Sequence, residues 1–588
     1  MLNPTTTLPA PAEAAPDAVD ARVARLEALF GDPARADNPL GHAALLEADE
    51  AGRLVPEGEK LLDAFGLNHE FVPAALGGRL RRVDDLVRVL RPVFRRDASL
   101  GLGYGVTSFL AAVAVWSAGS PEQRRRTADL LLGGGKLAIA YHELAHGNDF
   151  VRNEFRAEAA DGGYLLHGRK EVINNAERAA GLVLFSRTSP EPGSRSHSVL
   201  LIDKAGLDPD RYDHLPRYRT VGVRGCEIGG FDFRDCPVPA DALVGAAGDG
   251  VETALRSFQI TRSAVPGMVL AGADTALRTV VGFAAGRRLY GRHALDIPHA
   301  RAALAGAFTD LLICDSLSLA GTRAVHLLPE QTSVYAAAVK YLVPKVLNET
   351  MYDVSIVLGA NSYVREGDFG IFQKHVRDIP MTSLGHAGSA ACQATIIPQL
   401  PRLARRSWPG GGEPAPDALF RLHEDLPPLD TDRLVLAAGQ DGLVGSLLAG
   451  ADRLAGPDGP DAASYGTELR ALAAGLTAEL RRLQEECDQL RPQDRTTLAN
   501  PHAYALADRY ALVLAAAACL GVWQQQRGTD AFLADPAWLV AALLRITRRL
   551  GLPVPDGVTD PADHMLHELL ARHEGRRSLD LYDTPLAR

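Results

Sequence analysis

The residues best suited to chemistry in this chain stand in one short stretch, LAIAYHELAHGND at positions 137–149. His142-Glu143-Leu144-Ala145-His146 has the H-E-x-x-H spacing of zinc hydrolases, in which two histidines one helical turn apart bind the metal and the glutamate is the general base. That chemistry requires a helix. The apolar run before the motif favours a strand and the glycine after it favours a turn, which would hold the histidines about 13 Å apart. We therefore expect no metal site here.

Length and composition exclude several classes of function. The chain has 588 residues, 46% of them hydrophobic and 23% charged, with a formal net charge of −10. This acidic balance offers nucleic acid no electrostatic attraction. The six cysteines form no C-x-x-C pair, which is typical of a reduced, cytoplasmic protein. The N-terminus lacks the features of a signal peptide, and the apolar run near Ala511–Trp523 is too short to cross a bilayer, so we predict no transmembrane segment.

The hydrophobic spacing changes several times along the chain, and these changes predict its elements. Helical periodicity is followed by short apolar segments between Gly, Pro and Asp, and then by long helical patterns. We predict a mainly α fold with an inserted β-domain: an N-terminal helical domain, a middle antiparallel β-barrel-like domain, a C-terminal four-helix bundle and an extra C-terminal helical domain. The predicted boundaries are 1–20 for a disordered tail, then 21–135, 136–249 and 250–402 for the first three domains, 403–417 for a linker and 418–588 for the last domain.

Several short motifs follow one another in a fixed order between about residues 60 and 400. The main segments are Gly119-Ser120-Pro121-Glu122-Gln123, Gly163-Tyr164-Leu165-Leu166-His167-Gly168-Arg169-Lys170, Val172-Ile173-Asn174-Asn175-Ala176, Gly222-Val223-Arg224-Gly225, Arg287-x-x-Tyr290-Gly291 and Arg377-Asp378. In order and spacing these motifs resemble those of the acyl-CoA dehydrogenase family. The C-terminal helices resemble, in length and pattern, the extra domain of the very-long-chain branch of that family.

The resemblance implies one FAD per subunit, bound at the face of the β-domain and completed by a neighbouring subunit. Glu143, Gly147 and Asp149 then match the family's T-E-P-x-x-G-S-D turn. Arg262 would bind substrate, and Arg287 would contact the FAD pyrophosphate of the partner subunit, a contact that the planar guanidinium favours. The residues implied to bind FAD are Tyr141, His142, Asn148, Ile173, Asn174, Arg287, Tyr290 and Gly359.

The catalytic glutamate of the family has no counterpart at either of its usual positions. Counting from Arg377 leads to His386, and the alternative position, before Arg262, holds Thr261. A histidine can act as a general base near neutral pH, so His386 is the candidate catalytic residue, with an ordinary loop residue as the alternative. Glu366 is a weaker candidate.

The residues and the resemblance together predict a cytoplasmic FAD-dependent oxidoreductase. Its substrate would be an acyl thioester carried by CoA or by an acyl carrier protein, and its product the α,β-enoyl thioester. We expect an electron-transfer flavoprotein or oxygen as the electron acceptor, and a homodimer or homotetramer. A flavin-dependent oxidase or monooxygenase on the same fold and a catalytically inactive binding subunit stay open as alternatives.

Overall fold

The structure is a computed structural model that describes residues 18–147, 149–385, 388–456, 465–496, 498, 500–528 and 530–587. The first part of the described chain is made of seven α-helices. The last of these helices begins with a capping box, because Ser120 Oγ accepts a hydrogen bond from Gln123 N at 3.1 Å and Gln123 Oε1 accepts one from Ser120 N at 2.9 Å. The helices are α1 (Val19–Phe30), α2 (His42–Glu50), α3 (Pro56–Phe65), α4 (Val83–Arg96), α5 (Ala98–Leu100), α6 (Thr107–Ala118) and α7 (Pro121–Leu132).

A sheet follows, as the short apolar segments predict. The strands are β1 (Leu137–Ala140), β2 (Arg156–Ala160), β3 (Gly163–Asn174), β4 (Gly181–Arg187), β5 (His197–Asp203), β6 (Tyr212–Leu215), β7 (Ile228–Pro239) and β8 (Leu243–Val244). Their order in the sheet is β6-β7-β3-β2-β4-β5-β8, and β1 pairs with β4. The sheet is mostly antiparallel, but β1 and β2 run parallel to β4. No strand pair closes the order between β6 and β8 within the described residues.

Strand β4 connects the two hydrophobic cores of the protein. Successive side chains of a strand point to opposite faces of its sheet. Leu182 and Leu184 accordingly enter a core made by the sheet itself, whereas Val183 and Phe185 enter the core shared with the helices. Both faces of β4 are therefore covered, which explains its continuous run of apolar residues.

Three long helices form the body of the predicted bundle, α8 (Gly250–Gly286), α9 (Pro298–Leu327) and α10 (Thr332–Leu358). They pack on one another, and short helices fill the fourth position, α11 (Gly370–Asp378) against α8 and α13 (Ser389–Ile396) against α10. A small hairpin, β9 (Arg288–Leu289) and β10 (Arg292–His293), joins α8 to α9. The short helices are α11 (Gly370–Asp378), α12 (Met381–Leu384), α13 (Ser389–Ile396) and α14 (Leu400–Arg406).

The last part of the chain is helical and packs directly on the bundle. The predicted linker begins inside α14 and continues into a packed segment, in which the Trp408 side chain is 2% exposed and donates to Asp441 Oδ2 at 3.0 Å. The domain boundaries themselves stay predictions. The helices are α15 (Gly442–Ala455), α16 (Gly466–Asp488), α17 (Pro501–Gln525), α18 (Ala531–Ala534), α19 (Pro536–Arg549) and α20 (Ala562–Glu574).

Four helical segments are long and apolar enough to cross a membrane by length and composition alone, Ala98–Ala118 and the helices α8, α9 and α17. This corrects the expectation that the apolar run near Ala511–Trp523 is too short, because that run belongs to the 25-residue helix α17. Between 78% and 100% of each apolar window is buried inside the protein. Their apolar character is therefore used in the core of this fold.

The C-terminal segment after α20 returns to the first domain through buried ion pairs. Arg91 lies between two carboxylates, bonding to Asp315 and lying 3.3 Å from Asp580. The backbone N–H of Leu581 donates to Asp315 Oδ2 at 2.8 Å. Side chains from the N-terminal helices, the bundle and the C-terminus thus share one polar cluster inside the core.

Candidate functional site

The H-E-x-x-H motif is a turn in the structure, not a helix. Strand β1 ends at Ala140, and residues 144–147 form a turn that closes with Gly147 at a φ of 54°. The Glu143 carboxylate accepts hydrogen bonds from Lys170 Nζ at 2.8 Å and from the backbone N–H groups of Glu154 and Phe155 at 2.8 and 3.1 Å. The helical face that a shared zinc ion needs is not formed, and the glutamate fixes the turn instead.

The ion pair between Lys170 and Glu143 alters both pKa values. Burial lowers the pKa of Lys170 to about 8, although Glu143 opposes this shift. Burial raises the pKa of Glu143, but Lys170 and the two amides outweigh it and hold the pKa below its usual value. Next to this pair, His142 has its pKa lowered by burial and then by Lys170 and Lys340, so its imidazole is neutral at pH 7.

The ends of β1 and β3 lie side by side, which brings the sequence-predicted residues Tyr141, His142, Ile173 and Asn174 together. The His142 carbonyl accepts a hydrogen bond from Glu171 N at 3.2 Å. Strand β3 has a bulge between Glu171 and Ile173, where the φ of Val172 is 57°. The bulge shifts the register at the strand end and leaves Val172 40% exposed.

Several buried polar atoms at these strand ends have no partner among the described residues. The Tyr141 ring packs 5.4 Å from Phe185 and 6.1 Å from Phe258, and its hydroxyl is buried without a hydrogen bond. Asn174 donates from Nδ2 to Thr107 Oγ1 at 2.7 Å, but its Oδ1 has no donor. Oδ1 and Nδ2 of Asn175 are also buried without a hydrogen-bond partner. Buried polar atoms left without partners mark a position that a polar ligand can satisfy.

Three of the predicted cofactor residues lie apart from the strand ends, on exposed ends of bundle helices. Arg287 caps the C-terminus of α8, and Tyr290, which is 93% exposed with a φ of 52°, forms the turn of the β9–β10 hairpin. Gly359 caps the C-terminus of α10 with a φ of 58°, and Ile356 before it is 54% exposed. Their role toward a cofactor stays a prediction.

A cavity of about 660 Å³ lies where the turn after β1 meets the helical bundle. Phe150 lies on its sheet side and stands 5.9 Å from the ring of Phe258, in an edge-to-face arrangement. Helix α13 presents Ala390, Ala391 and Ala394 to the cavity, and these small side chains leave its volume open. Its shape and apolar walls are those of a small-molecule site.

The C-terminal part of the chain supplies another wall of the same cavity, through Leu436, Ala437, Leu498 and Tyr504. No pattern in the sequence predicts this wall, because these residues stand far along the chain from the motifs and come near them only in the folded protein.

Arg262 lines the cavity from α8 and is 4% exposed. One of its terminal nitrogens donates to Thr395 Oγ1 at 3.3 Å, its guanidinium lies 5.0 Å from the centre of the Phe258 ring, and its Nε has no partner among the described residues. Thr261, the neighbouring residue, donates its hydroxyl to Phe258 O at 3.4 Å. Arg262, the predicted substrate residue, therefore lies in the cavity wall. The residue before it, at position 261, is a threonine and supplies no carboxylate.

Lys340 is a residue of this region that the sequence interpretation missed. It is 3% exposed on α10, on the same helical face as the cavity-lining residues Ser333 and Ala336. Burial, and then Arg262, lowers its pKa to about 8, against the influence of Cys392. A single lysine inside the apolar helix SVYAAAVKYLV was the available signal.

The remaining candidates do not reach this cavity or cannot be placed. Glu366 lines a separate surface cavity of about 1260 Å³ between residues 33–51 and 363–368. His386 and Asn148 lie outside the described residues, so their predicted roles stay predictions. Among the described residues that line the 660 Å³ cavity, Asp149 is the one carboxylate, and its side chain is 60% exposed.

The fold is thus a sheet between two helical regions, and a ligand-sized cavity lies where the sheet meets the helices. The family model "Acyl-CoA dehydrogenase, C-terminal domain" matches residues 248–399. A probable acyl-CoA dehydrogenase, FadE25 of Mycobacterium tuberculosis, is 27% identical over 251 residues, which are 42% of this chain and 63% of that protein. The chain thus spans less than two thirds of the length of that relative.

Solved structures agree on the fold. Butyryl-CoA dehydrogenase from Megasphaera elsdenii matches with a TM-score of 0.57 at 18% identity, covering 64% of this chain and 96% of its own. The prolyl acyl carrier protein oxidase AnaB matches with a TM-score of 0.58 at 17% identity, covering 65% of this chain and 98% of its own. Residues 248–399 therefore match the acyl-CoA dehydrogenase C-terminal domain, and the chain has the fold of these structures. The resemblance of the sequence to acyl-CoA dehydrogenases is confirmed, whereas the likeness of the C-terminal helices to the very-long-chain branch stays a prediction.

Proposed function

We propose that the protein is an FAD-dependent oxidoreductase that converts an acyl thioester, carried by CoA or an acyl carrier protein, into the α,β-enoyl thioester. The observations that carry this proposal are the 660 Å³ cavity between the turn after β1 and the bundle, and the buried polar atoms without partners at the ends of β1 and β3. An apolar cavity suits an acyl chain, and buried polar atoms that lack partners suit the edge of a flavin ring.

The residues at the strand ends fit an FAD. Tyr141 Oη and Asn174 Oδ1 are buried without partners, and the bulge at Val172 exposes an apolar side chain beside them. FAD, when bound, supplies the acceptor for the two electrons of the oxidation. Asn148 completes the predicted set. Arg287, Tyr290 and Gly359 stand on exposed helix ends, and we propose that they contact the FAD of the neighbouring subunit in a homodimer or homotetramer.

The protein residues have three tasks in this reaction. The apolar walls exclude water from the acyl chain, which strengthens every electrostatic interaction in the site. Arg262 holds a polar group of the substrate by hydrogen bonding from a buried guanidinium. We propose His386 as the general base that takes the α-proton, because it stands three residues before α13, the helix that lines the cavity.

The experiment is to purify the protein, add FAD, remove free cofactor, and record the visible absorption of bound flavin. Acyl-CoA and acyl-carrier-protein thioesters are then added anaerobically, and bleaching of the flavin band is followed. Protein that never retains FAD, or that retains it and is not reduced by any thioester, contradicts the proposal. Placing the protein in the cytoplasm is part of the same proposal and is tested by cell fractionation.

A second candidate is an oxidase on the same fold. Its support is the likeness to AnaB, a carrier-protein oxidase by name, together with Thr261 and His386 at positions where the family has its glutamate. Re-oxidation of the reduced flavin separates the two functions. Consumption of oxygen with every turnover indicates an oxidase, whereas reoxidation that requires an electron-transfer flavoprotein indicates a dehydrogenase.

A further inference from the structure

The mouth of the 660 Å³ cavity is apolar. Val151, Leu436 and Leu498 line the cavity and are at the same time 40%, 42% and 91% exposed, so they stand at its opening. We call these three side chains the apolar rim. Exposed apolar side chains that stand together at the edge of a cavity mark a surface that a partner covers.

The segment that carries Leu436 comes from the C-terminal part of the chain and is fastened to the bundle at both ends. Gln259 Nε2 donates to Val435 O at 2.8 Å, and Ala438 N donates to Gln399 Oε1 at 2.7 Å. Both glutamines line the cavity themselves. The segment is therefore a fixed part of the cavity mouth.

One arginine stands at the same mouth with its charge unused. Arg402 lines the cavity, is exposed, and forms no hydrogen bond or ion pair with another described residue. Its guanidinium lies against Gly439, where a Cβ atom would come within 3.0 Å of Nη2. Asp149, the one carboxylate among the described residues of the lining, already stands 3.9 Å from Arg152. Arg402 is thus free to bind a phosphate, which its planar fork suits.

We infer that the thioester reaches this cavity on the pantetheine arm of a carrier protein, that the carrier docks on the apolar rim, and that Arg402 binds the phosphodiester of the arm. The inference rests on the proposed function and chooses between its two carriers. The arm of a carrier protein bears a single phosphodiester and ends in a protein surface, which Arg402 and the apolar rim match. CoA ends instead in a diphosphate and a further phosphate on its ribose. Those charges would lie against exposed apolar side chains, and the described residues of the mouth offer them one exposed cation, Arg402.

The test measures binding to the FAD-supplemented protein by titration calorimetry, without turnover. The probes are CoA, pantetheine, phosphopantetheine and every carrier protein encoded by the organism that supplies the gene, each carrier in its holo and its apo form. At least one holo carrier should bind about tenfold or more tightly than CoA, because it covers the rim as well as filling the cavity. Its apo form, which has no arm, should bind at least about tenfold more weakly than the holo form.

Variants separate the two contacts. Leu498→Ser should weaken binding of the holo carrier about fivefold and leave phosphopantetheine within about twofold, because the rim contacts the docked protein. Arg402→Gln should weaken both the holo carrier and phosphopantetheine about fivefold and leave pantetheine, which has no phosphate, within about twofold. The matched controls are Leu29→Ser, at an exposed leucine of α1, and Arg406→Gln, at an exposed arginine of α14, and neither should change any of these affinities. Circular dichroism and thermal melting establish that each variant is folded.

The outcomes separate the inference from the proposed function. If no holo carrier binds, or if CoA binds as tightly as the best of them, the inference is overturned. Tight carrier binding that survives both Leu498→Ser and Arg402→Gln overturns it as well. In each of these cases the oxidoreductase function stands if CoA thioesters bleach the bound flavin. A holo carrier that binds through the rim, to protein whose flavin no acyl-loaded carrier and no CoA thioester reduces, supports the docking surface and contradicts the proposed oxidoreductase.

Discussion

Lys170 Nζ lies 2.8 Å from Glu143 Oε1, and this ion pair is buried, with the lysine side chain 0% and the glutamate side chain 8% exposed. It ties the turn after β1 to the middle of β3. The glutamate that the sequence offers as a zinc-hydrolase base is therefore the anchor of the turn, because both of its oxygens are occupied by donors.

The first prediction concerns this anchor. Glu143→Gln leaves the Lys170 ammonium buried without its counter-charge, so the free energy of unfolding should fall by about 3–5 kcal/mol. Denaturant unfolding measures the change. Glu154→Gln, at an exposed neighbouring carboxylate, is the control and should change stability by less than about 0.5 kcal/mol. Adding Lys170→Met to Glu143→Gln should recover part of the loss, and a double variant less stable than the single one would contradict the ion-pair explanation.

The second prediction concerns the pH dependence of stability at Lys340, whose charged or titratable neighbours include Arg262, Cys392 and His142. Its pKa falls from 10.5 to about 8 in the folded protein. Below pH 8 the lysine is protonated in both the folded and the unfolded state, so the full cost of burying its charge is present, about 3 kcal/mol. Between pH 8 and 10.5 the folded state loses the proton first, and the cost disappears.

Lys340→Met should therefore be more stable than the parent protein at pH 7, and its advantage should shrink as the pH rises toward 10. Denaturant midpoints across this range measure the effect. Lys60→Met, at an exposed lysine of α3, should show no such pH dependence. An advantage of Lys340→Met that is the same at pH 7 and pH 10 would contradict the buried charge.

The third prediction tests the base. His386→Gln should lower kcat/KM for the thioester by about 10²–10⁴, because proton abstraction loses its acceptor, while bound FAD is retained. His386→Glu should recover activity, since it restores the carboxylate of the family at that position. His299→Gln, an exposed histidine on α9, is the control. If His386→Gln keeps more than half of the parent activity, another group takes the proton.

The fourth prediction tests the cavity. Ala391→Phe fills part of the 660 Å³ space with a benzyl group, so longer acyl thioesters should lose about tenfold or more in kcat/KM while short ones lose less. Ala302→Phe on an exposed face of α9 makes the same change outside the cavity and should leave both values unaltered. A uniform loss for all chain lengths would instead indicate a general disturbance of the fold.

Much of the fold could be predicted because local signals agree with it. The segment beginning GYLLHGRKEV predicts the strand that the structure has as Gly163–Asn174, and the Gly-Ser-Pro-Glu-Gln run, given in the sequence as a family motif, forms the capping box at Ser120. Helix α17 shows the limit of this reasoning. The apolar run near Ala511–Trp523, taken alone, is too short to cross a bilayer. The helix itself is longer, because the polar residues on either side of that run belong to it.

By itself, the sequence determined the order of helices and strands and the likeness to acyl-CoA dehydrogenases, since hydrophobic period, caps and motif spacing are local properties. It also placed Arg262 and the strand-end residues in the candidate site. Only the tertiary structure decided that Glu143 pairs with Lys170, that Lys340 lies buried near Arg262, and that Leu436 and Tyr504 close the cavity. Those relationships depend on burial and on contacts between residues far apart in the chain, which a one-dimensional pattern does not contain.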